Sequence, residues 1–403
     1  MKKSMIVAAM LAMVATGANA KSATDSAAIA KNKPVFTVVK QNPITSIKDQ
    51  NRSGTCWAYS TLSYFESEIL KHTGKTYDLS EMFVANKTYM DRATMAVRMH
   101  GDVSFSQGGS AYDVLYALQH YGIVPEGAMP APGTLTGDSL ANFGEFFDVM
   151  TPYVEAVAKS NAKKISSAWK SGLQGIIDSY IGKTPEKFTY QGKQYTPQSF
   201  CQSLGLNLDD YVTITSYTHH PMWSKFAVEV QDNWRWPLSY NVPMDDLCKI
   251  IDNAINNGYT IAWGGDVTED GFTRKGLGIA YDVKKVRSMA GTDADHWFKL
   301  SKDEKNEKFD SLGVNAPEVV PTQAMRQEAF DNWETTDDHG MHIYGIAKDQ
   351  NGKEYYMVKN SWGEYGDYKG TWYMTKAFVA YKTMDFMVNK NAIPKDIRKK
   401  LGI

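Results

Sequence analysis

Gln50-Asn51-Arg52-Ser53-Gly54-Thr55-Cys56-Trp57-Ala58-Tyr59-Ser60 is the stretch on which the reading of this chain turns. A glycine-containing turn leads from it into Tyr59, Leu62, Tyr64, Phe65, Ile69 and Leu70, apolar or aromatic positions compatible with one face of a helix. Cys56 then stands at or just inside a helix N-terminus. Unpaired backbone N–H groups and the positive end of the helix dipole favour thiolate over thiol there. Gln50 lies six positions upstream, where its side-chain amide can turn back toward the sulfur and donate to a developing oxyanion. This is the setting a thiol needs to attack carbonyl carbon.

The partners of such a thiol stand far along the chain. Asp338-His339-Gly340-Met341-His342-Ile343-Tyr344-Gly345-Ile346-Ala347 reads as a strand, and Tyr355-Tyr356-Met357-Val358-Lys359-Asn360-Ser361-Trp362-Gly363 as a second strand running into a turn. Lys348-Asp349-Gln350-Asn351-Gly352-Lys353 between them is turn-forming, so a hairpin is expected to bring His339 close to Asn360. Histidine exchanges a proton near neutral pH, and an amide oxygen can accept its other N–H and fix the ring. His339 competes with His342 for the role. Positions three apart on a strand face opposite sides, so only one of the two can address the thiol. Trp362 can shield the Asn–His bond from water.

These motifs resemble the papain-like cysteine peptidases: Gln50…Cys56-Trp57, Asp338-His339-Gly340 and Asn360-Ser361-Trp362-Gly363 stand in that family's order and spacing style. The resemblance narrows to the bleomycin hydrolase/aminopeptidase C branch. Ser53 stands where secreted papain relatives carry a disulfide cysteine. Branch-like stretches continue through Gly182-Lys183-Thr184-Pro185-Glu186-Lys187-Phe188-Thr189-Tyr190 and Tyr240-Asn241-Val242-Pro243-Met244-Asp245-Asp246-Leu247, and through Trp263-Gly264-Gly265-Asp266-Val267 and Lys275-Gly276-Leu277-Gly278.

The resemblance implies Cys56 as nucleophile, His339 as acid and base, Asn360 as its orienter and Gln50 as oxyanion donor. His339 is preferred to His342 because the family base precedes a small residue, here Gly340. Gly108-Gly109 matches the glycine pair that lets substrate backbone approach the cleft wall, and Trp362 joins them as a substrate-side residue. The plainer readings are a buried structural cysteine, a turn asparagine, a surface glutamine and a tight turn at Gly108-Gly109.

The implied fold is α+β: a papain-like helical lobe and a β-barrel-like lobe, with a helical insertion and the cleft between lobes. Residues 43–130 read as the helical lobe with the nucleophile, including helices from near Leu79-Ser80-Glu81-Met82 and from Ala111 to His120. Residues 131–255 read as a mainly helical insertion and 256–403 as a β-rich lobe with His339, Asn360 and a C-terminal helix. Pro125, Pro130 and Pro132 with Gly127 and Gly133 mark the first boundary.

Ahead of these, Lys2-Lys3, an apolar run from Met5 to Val14 and Ala18-Asn19-Ala20 read as a signal peptide over 1–20. Residues 21–42 are an N-terminal extension too short for a large inhibitory pro-domain. The expected product is periplasmic or secreted. Most members of the branch are cytosolic, so export is a departure. The apolar run is too short for a lasting membrane span. Three cysteines remain in an oxidising compartment, and Cys201 could pair with Cys248, leaving Cys56 free.

With 403 residues, 43% hydrophobic and 22% charged, the chain can bury a large core. A formal net charge of −1 gives no basic field for nucleic acid. Some members of the branch are linked to DNA binding, and this charge lends that idea no support. No metal or organic cofactor is implied. Asp266, Glu269 and Asp270 could hold a cation or form a solvated turn.

In aminopeptidases of the branch the terminal carboxylate of a C-terminal arm meets the substrate's amino group. Here Pro394 reads as the start of a last helix, and the arm after it is expected to be missing. Three functions follow: an aminopeptidase acting on peptides with free N-termini, an endopeptidase with an open cleft, or a catalytically silent peptide-binding protein. The intact set Gln50, Cys56, His339 and Asn360 weighs against the last. Homo-oligomers, hexamers in the branch, are a further expectation.

Overall fold

The computed structural model describes residues 32–137, 140–289, 296 and 299–403. The leader read over 1–20 and residues 21–31 of the 21–42 extension lie outside them. In chain order the elements that matter here are β1 (Thr37–Gln41), α1 (Cys56–Thr73), α2 (Glu81–Arg98), α3 (Ala111–His120), α4 (Gly144–Ala158) and α5 (Ala168–Ile181). They continue as β2 (Tyr211–Thr215), β3 (Ser239–Asn241), α6 (Met244–Asn256) and β4 (Ile261–Gly265). The last are α7 (Gln323–Asp331), β5 (His339–Lys348), β6 (Glu354–Lys359), β7 (Thr371–Thr375), α8 (Lys376–Lys382), β8 (Thr383–Asn389) and α9 (Lys395–Leu401).

The architecture is α+β, with two cores. Helices α1 to α5 share one core through Leu62, Phe65, Phe83, Tyr89, Leu118, Phe146, Leu173 and Ile177. Helix α1 is buried from Trp57 to Ile69 on every side, which makes it the central strut of the molecule. Gly74 ends it in the left-handed conformation (φ 70°) that a C-terminal cap requires. Ser80 opens α2 by accepting the Phe83 N–H at 3.1 Å.

The second core belongs to one long sheet whose order runs 225–226, β3, β2, β8, β4, β5, β6, β7, 277–278, 272–273, with β1 added to β5. Ile214, Ile261, Met341, Val358, Trp372 and Phe386 fill it, and α6 and α9 cover it through Ile250, Ile251, Ile397 and Leu401. The expected hairpin is β5 and β6, with His342 opposite Lys359, so that Asn360 follows directly.

The span 131–255, expected as one mainly helical insertion, divides at Tyr211. Up to Leu204 it packs into the helical core. From Tyr211 it supplies β2, antiparallel to β8, and β3, parallel to β2. These strands are short, and β3 pairs through only two residues, so their alternation left little trace in the sequence.

Two cysteines thought able to pair are free and belong to different cores: Cys201 lies in the helical core, and Cys248 packs on the sheet core. Among the described residues no helix is long and apolar enough to cross a membrane.

Candidate active site

Cys56 is the first residue of α1 and lines a cavity of about 160 Å³ together with His339. The contact between α1 and β5 depends on Gly340. A Cβ there would fall 2.7 Å from Ser60 Oγ and 3.3 Å from both Cys56 O and Trp57 Cα. Glycine at that position therefore lets the strand lie against the helix N-terminus and brings the preceding histidine into the cavity that Cys56 lines. Gly340 pairs with Gly264, which pairs with Asp385 on the next strand. Two side-chain-free positions in one row leave part of the hollow that the thiol and the ring both line.

His339 is buried, and its Nε2 lies 2.8 Å from Asn360 Oδ1. The same oxygen accepts the backbone N–H of Ser361 at 2.8 Å. Since that N–H can only donate, the amide is fixed with its oxygen toward the ring. Nε2 must then carry hydrogen, and the neutral ring keeps its lone pair on Nδ1. Trp362 does not line the cavity. Its ring sits 5.0 Å from the His339 ring, with Trp372 packed perpendicular at 5.4 Å. Its place beside the ring suits a shield over the His–Asn bond. His342 faces the other way, buried, with Nδ1 2.9 Å from Ser63 Oγ.

Gln50 is buried and doubly anchored: its Oε1 accepts from Ser361 Oγ at 2.6 Å and its Nε2 donates to Ser53 O at 2.7 Å. One Nε2 hydrogen remains. The side chain itself lies outside the cavity lining. Backbone bonds from Gln50 N to Ser361 O and from Gly363 N to Lys48 O tie the loop before Cys56 to the turn after Asn360.

Gly108 and Gly109 both line the cavity. A Cβ on Gly109 would come 2.9 Å from the Trp57 indole, and one on Gly108 would come 1.8 Å from Asp232 Oδ2. Gly108 is thus covered by the segment carrying Val228, Val230 and Asp232.

Burial drives both reacting groups toward neutrality. It pushes the Cys56 thiol up to about 12; the N–H groups of Gly340 and Trp57 oppose this, while the charges of Asp337 and Asp232 add to it. His339 is held down to about 4 by burial, against the bond to Asn360. The thiolate expected from the helix N-terminus alone is therefore disfavoured in the resting site, because the site is enclosed and carries carboxylates. Sulfur and ring nitrogen can exchange one proton between them as attack begins.

Arg92, fully buried in α2, was not singled out from sequence. Its Nε donates to Ser104 O (2.9 Å), one terminal nitrogen to Gly108 O (2.6 Å) and Asp232 Oδ1 (3.0 Å), and the other to Ser104 Oγ (3.0 Å) and Gln231 O (3.4 Å). The signal available was its spacing from Tyr89, Ala93 and Ala96, which puts an arginine on the apolar face of the helix.

The acidic group at Asp266 and Glu269 is tied to buried Lys382, which makes it an ion-pair cluster rather than a cation site. Elsewhere, His219, His220 and Glu229 set ligand atoms within 4.8 Å of one another and could hold a metal ion.

The Peptidase C1-like family profile matches residues 2–402. This chain belongs to that family. Aminopeptidase G of Lactobacillus delbrueckii subsp. lactis is 23% identical over 397 residues, covering 89% of this chain and 84% of that one. Aminopeptidase C of Lactobacillus helveticus is 23% identical over 410 residues, covering 90% and 85%. Bleomycin hydrolase of Rattus norvegicus is 22% identical over 407 residues, covering 90% and 84%. The crystal structure of PepW from Lactobacillus rhamnosis HN001 superposes with a TM-score of 0.68 at 19% identity, over 94% of this chain and 86% of that one, so the fold is shared. Within the Peptidase C1-like family, the protein is a cysteine-type peptidase of the bleomycin hydrolase/aminopeptidase C branch.

Proposed function

We propose that this peptidase is an exported aminopeptidase that removes residues from the free N-termini of peptides by a Cys–His–Asn thiol mechanism. The observation that carries this reading is the shared cavity of Cys56 and His339, with the ring fixed by Asn360 and the glycine wall at Gly108 closed by Asp232. A cleft open for internal segments of a chain has less support, because substrate backbone running along Gly108 would meet that carboxylate. Export rests on the leader pattern at 1–20.

Cys56 Sγ attacks the carbonyl carbon of the first residue while its proton passes to His339 Nδ1. The oxyanion is met by a backbone N–H of the first turn of α1, which has no acceptor within the helix, and by the remaining Nε2 hydrogen of Gln50. His339 then protonates the leaving amine, and the peptide bond breaks to leave a thioester on Cys56. Water, losing its proton to His339, hydrolyses the thioester and returns the thiol.

A pair of fluorogenic amides tests the reading, one with a free amino group and its twin N-acetylated, under reducing conditions. Hydrolysis confined to the free-amino form is expected. Equal hydrolysis of the twin would replace the aminopeptidase with an endopeptidase.

A further inference from the structure

The cavity around Cys56 and His339 is lined by Asp232, Asp337, Asp338 and Asp385 and, among the described residues, by no lysine or arginine. The four carboxylates are not equivalent. Asp338 is engaged away from the thiol, accepting the Val267 N–H at 2.9 Å and Thr336 Oγ1 at 3.1 Å. Asp385 accepts from Ser239 Oγ at 3.4 Å. Asp232 spends Oδ1 on Arg92 and Ser106, leaving Oδ2 against Gly108. Asp337 is half-buried and lines the cavity, and among the described residues no hydrogen bond or ion pair reaches its side chain.

An unpaired carboxylate shut in beside others is costly unless a cation joins it. Burial, with the neighbouring charges of Asp232 and Asp385, holds Asp337 well above the usual carboxylate range. Asp337 and Asp232 are also the two charges that act on the Cys56 thiol, which places both within reach of a group bound at the sulfur. A peptide whose first carbonyl carbon is at Cys56 carries its α-ammonium one bond beyond the next carbon. It would stand along the Gly108 wall, where Asp232 ends the available space.

We propose that Asp337 and Asp232 form the subsite that holds the substrate's α-ammonium group, with the 228–233 segment as the wall that limits the acyl side to one residue. This deepens the aminopeptidase reading and rests on it. The ammonium supplies the missing counter-charge, so its binding strengthens where the cavity excludes water. A substrate lacking it leaves Asp337 without an ion-pair partner, while Asp232 keeps only Arg92, which makes the selection partly a rejection of the wrong ligand.

The test compares an alanyl fluorogenic amide with its desamino twin, the propionyl amide, which differs only in the ammonium. Asp337→Asn should lower the ratio of kcat/KM for the two substrates by about 30-fold, chiefly through KM for the alanyl amide, as expected for a lost charge-assisted contact in an enclosed site. Asp232→Asn, which keeps shape and the Arg92 contact, should lower it in the same direction. The rate of Cys56 alkylation by iodoacetamide reports that each variant retains a formed site. If wild type prefers the alanyl amide and both variants with formed sites keep that preference, the subsite is wrong and the aminopeptidase stands. If wild type shows no preference for a free amine, the aminopeptidase reading itself fails.

Discussion

His339 Nε2 lies 2.8 Å from Asn360 Oδ1, and the orientation of that amide is decided by the Ser361 N–H on the same oxygen. The tautomer of the His339 ring is therefore set by a backbone group that touches neither the ring nor the thiol. Asn360 Nδ2, buried and unpartnered, is the cost of holding the oxygen in this direction.

Replacing Asn360 with alanine should lower kcat by about 100-fold with little change in KM, since ring orientation and proton transfer suffer and the binding walls do not. Asn360→Asp keeps an acceptor and adds a charge that favours imidazolium. Its acid limb should therefore move to higher pH than that of the native enzyme. Steady-state kinetics of the two variants separate orientation from simple loss of structure, and equal behaviour of both would argue for the latter.

Activity in acid follows from the same ring. Neutral His339 is needed as base, and burial holds it down to about 4, so kcat/KM for the desamino amide, which does not draw on the Asp337 charge, should stay level through pH 6 and fall only as the pH approaches 4. An acid limb near the ordinary histidine value would contradict this. The folded state binds fewer protons here than the unfolded chain between pH 6.5 and 4. The stability contributed by the neutral ring, of order 3 kcal/mol, should thus be present above pH 6.5 and be lost as pH falls toward 4.

Gly340→Ala places a methyl between β5 and the start of α1. Overpacking there should cost about 1–3 kcal/mol of stability. The loss of activity should be larger than stability alone explains, about 100-fold, because a small displacement separates ring from thiol. Denaturant midpoints and kcat/KM measured on the same preparation decide between the two effects.

Arg92→Met removes the guanidinium that holds Ser104, Gly108 and Asp232 at once. Stability should fall by about 3–5 kcal/mol, because Asp232 and three carbonyls lose a partner. A fall under about 1 kcal/mol in equilibrium unfolding would mean water replaces the arginine freely.

The chemistry of this site was legible because its main groups sit in continuous motifs. Cys56 follows its turn, His339 is flanked by the glycine that makes room for it, and Asn360 ends the hairpin that carries both. The remainder depends on segments brought together only by the fold. Asp232 lies in a stretch of irregular backbone whose neighbours Val228 and Val230 give no hint that it closes a cavity. Asp337 stood one residue before a recognised motif, yet that no hydrogen bond or ion pair among the described residues reaches its side chain is a tertiary fact. The strands at 211–215 and 239–241 were missed for a related reason. They are too short to show a period, and 211–215 finds its antiparallel partner, β8, only far along the chain.

Trapping the acyl-enzyme is the most direct measurement. An alanyl p-nitrophenyl ester mixed with the mature protein and quenched in acid should leave one alanyl group, found by mass spectrometry on the peptide that contains Cys56, and Cys56→Ala should leave none. Acylation at another residue, or none at all while substrate is being turned over, would contradict a Cys56 nucleophile.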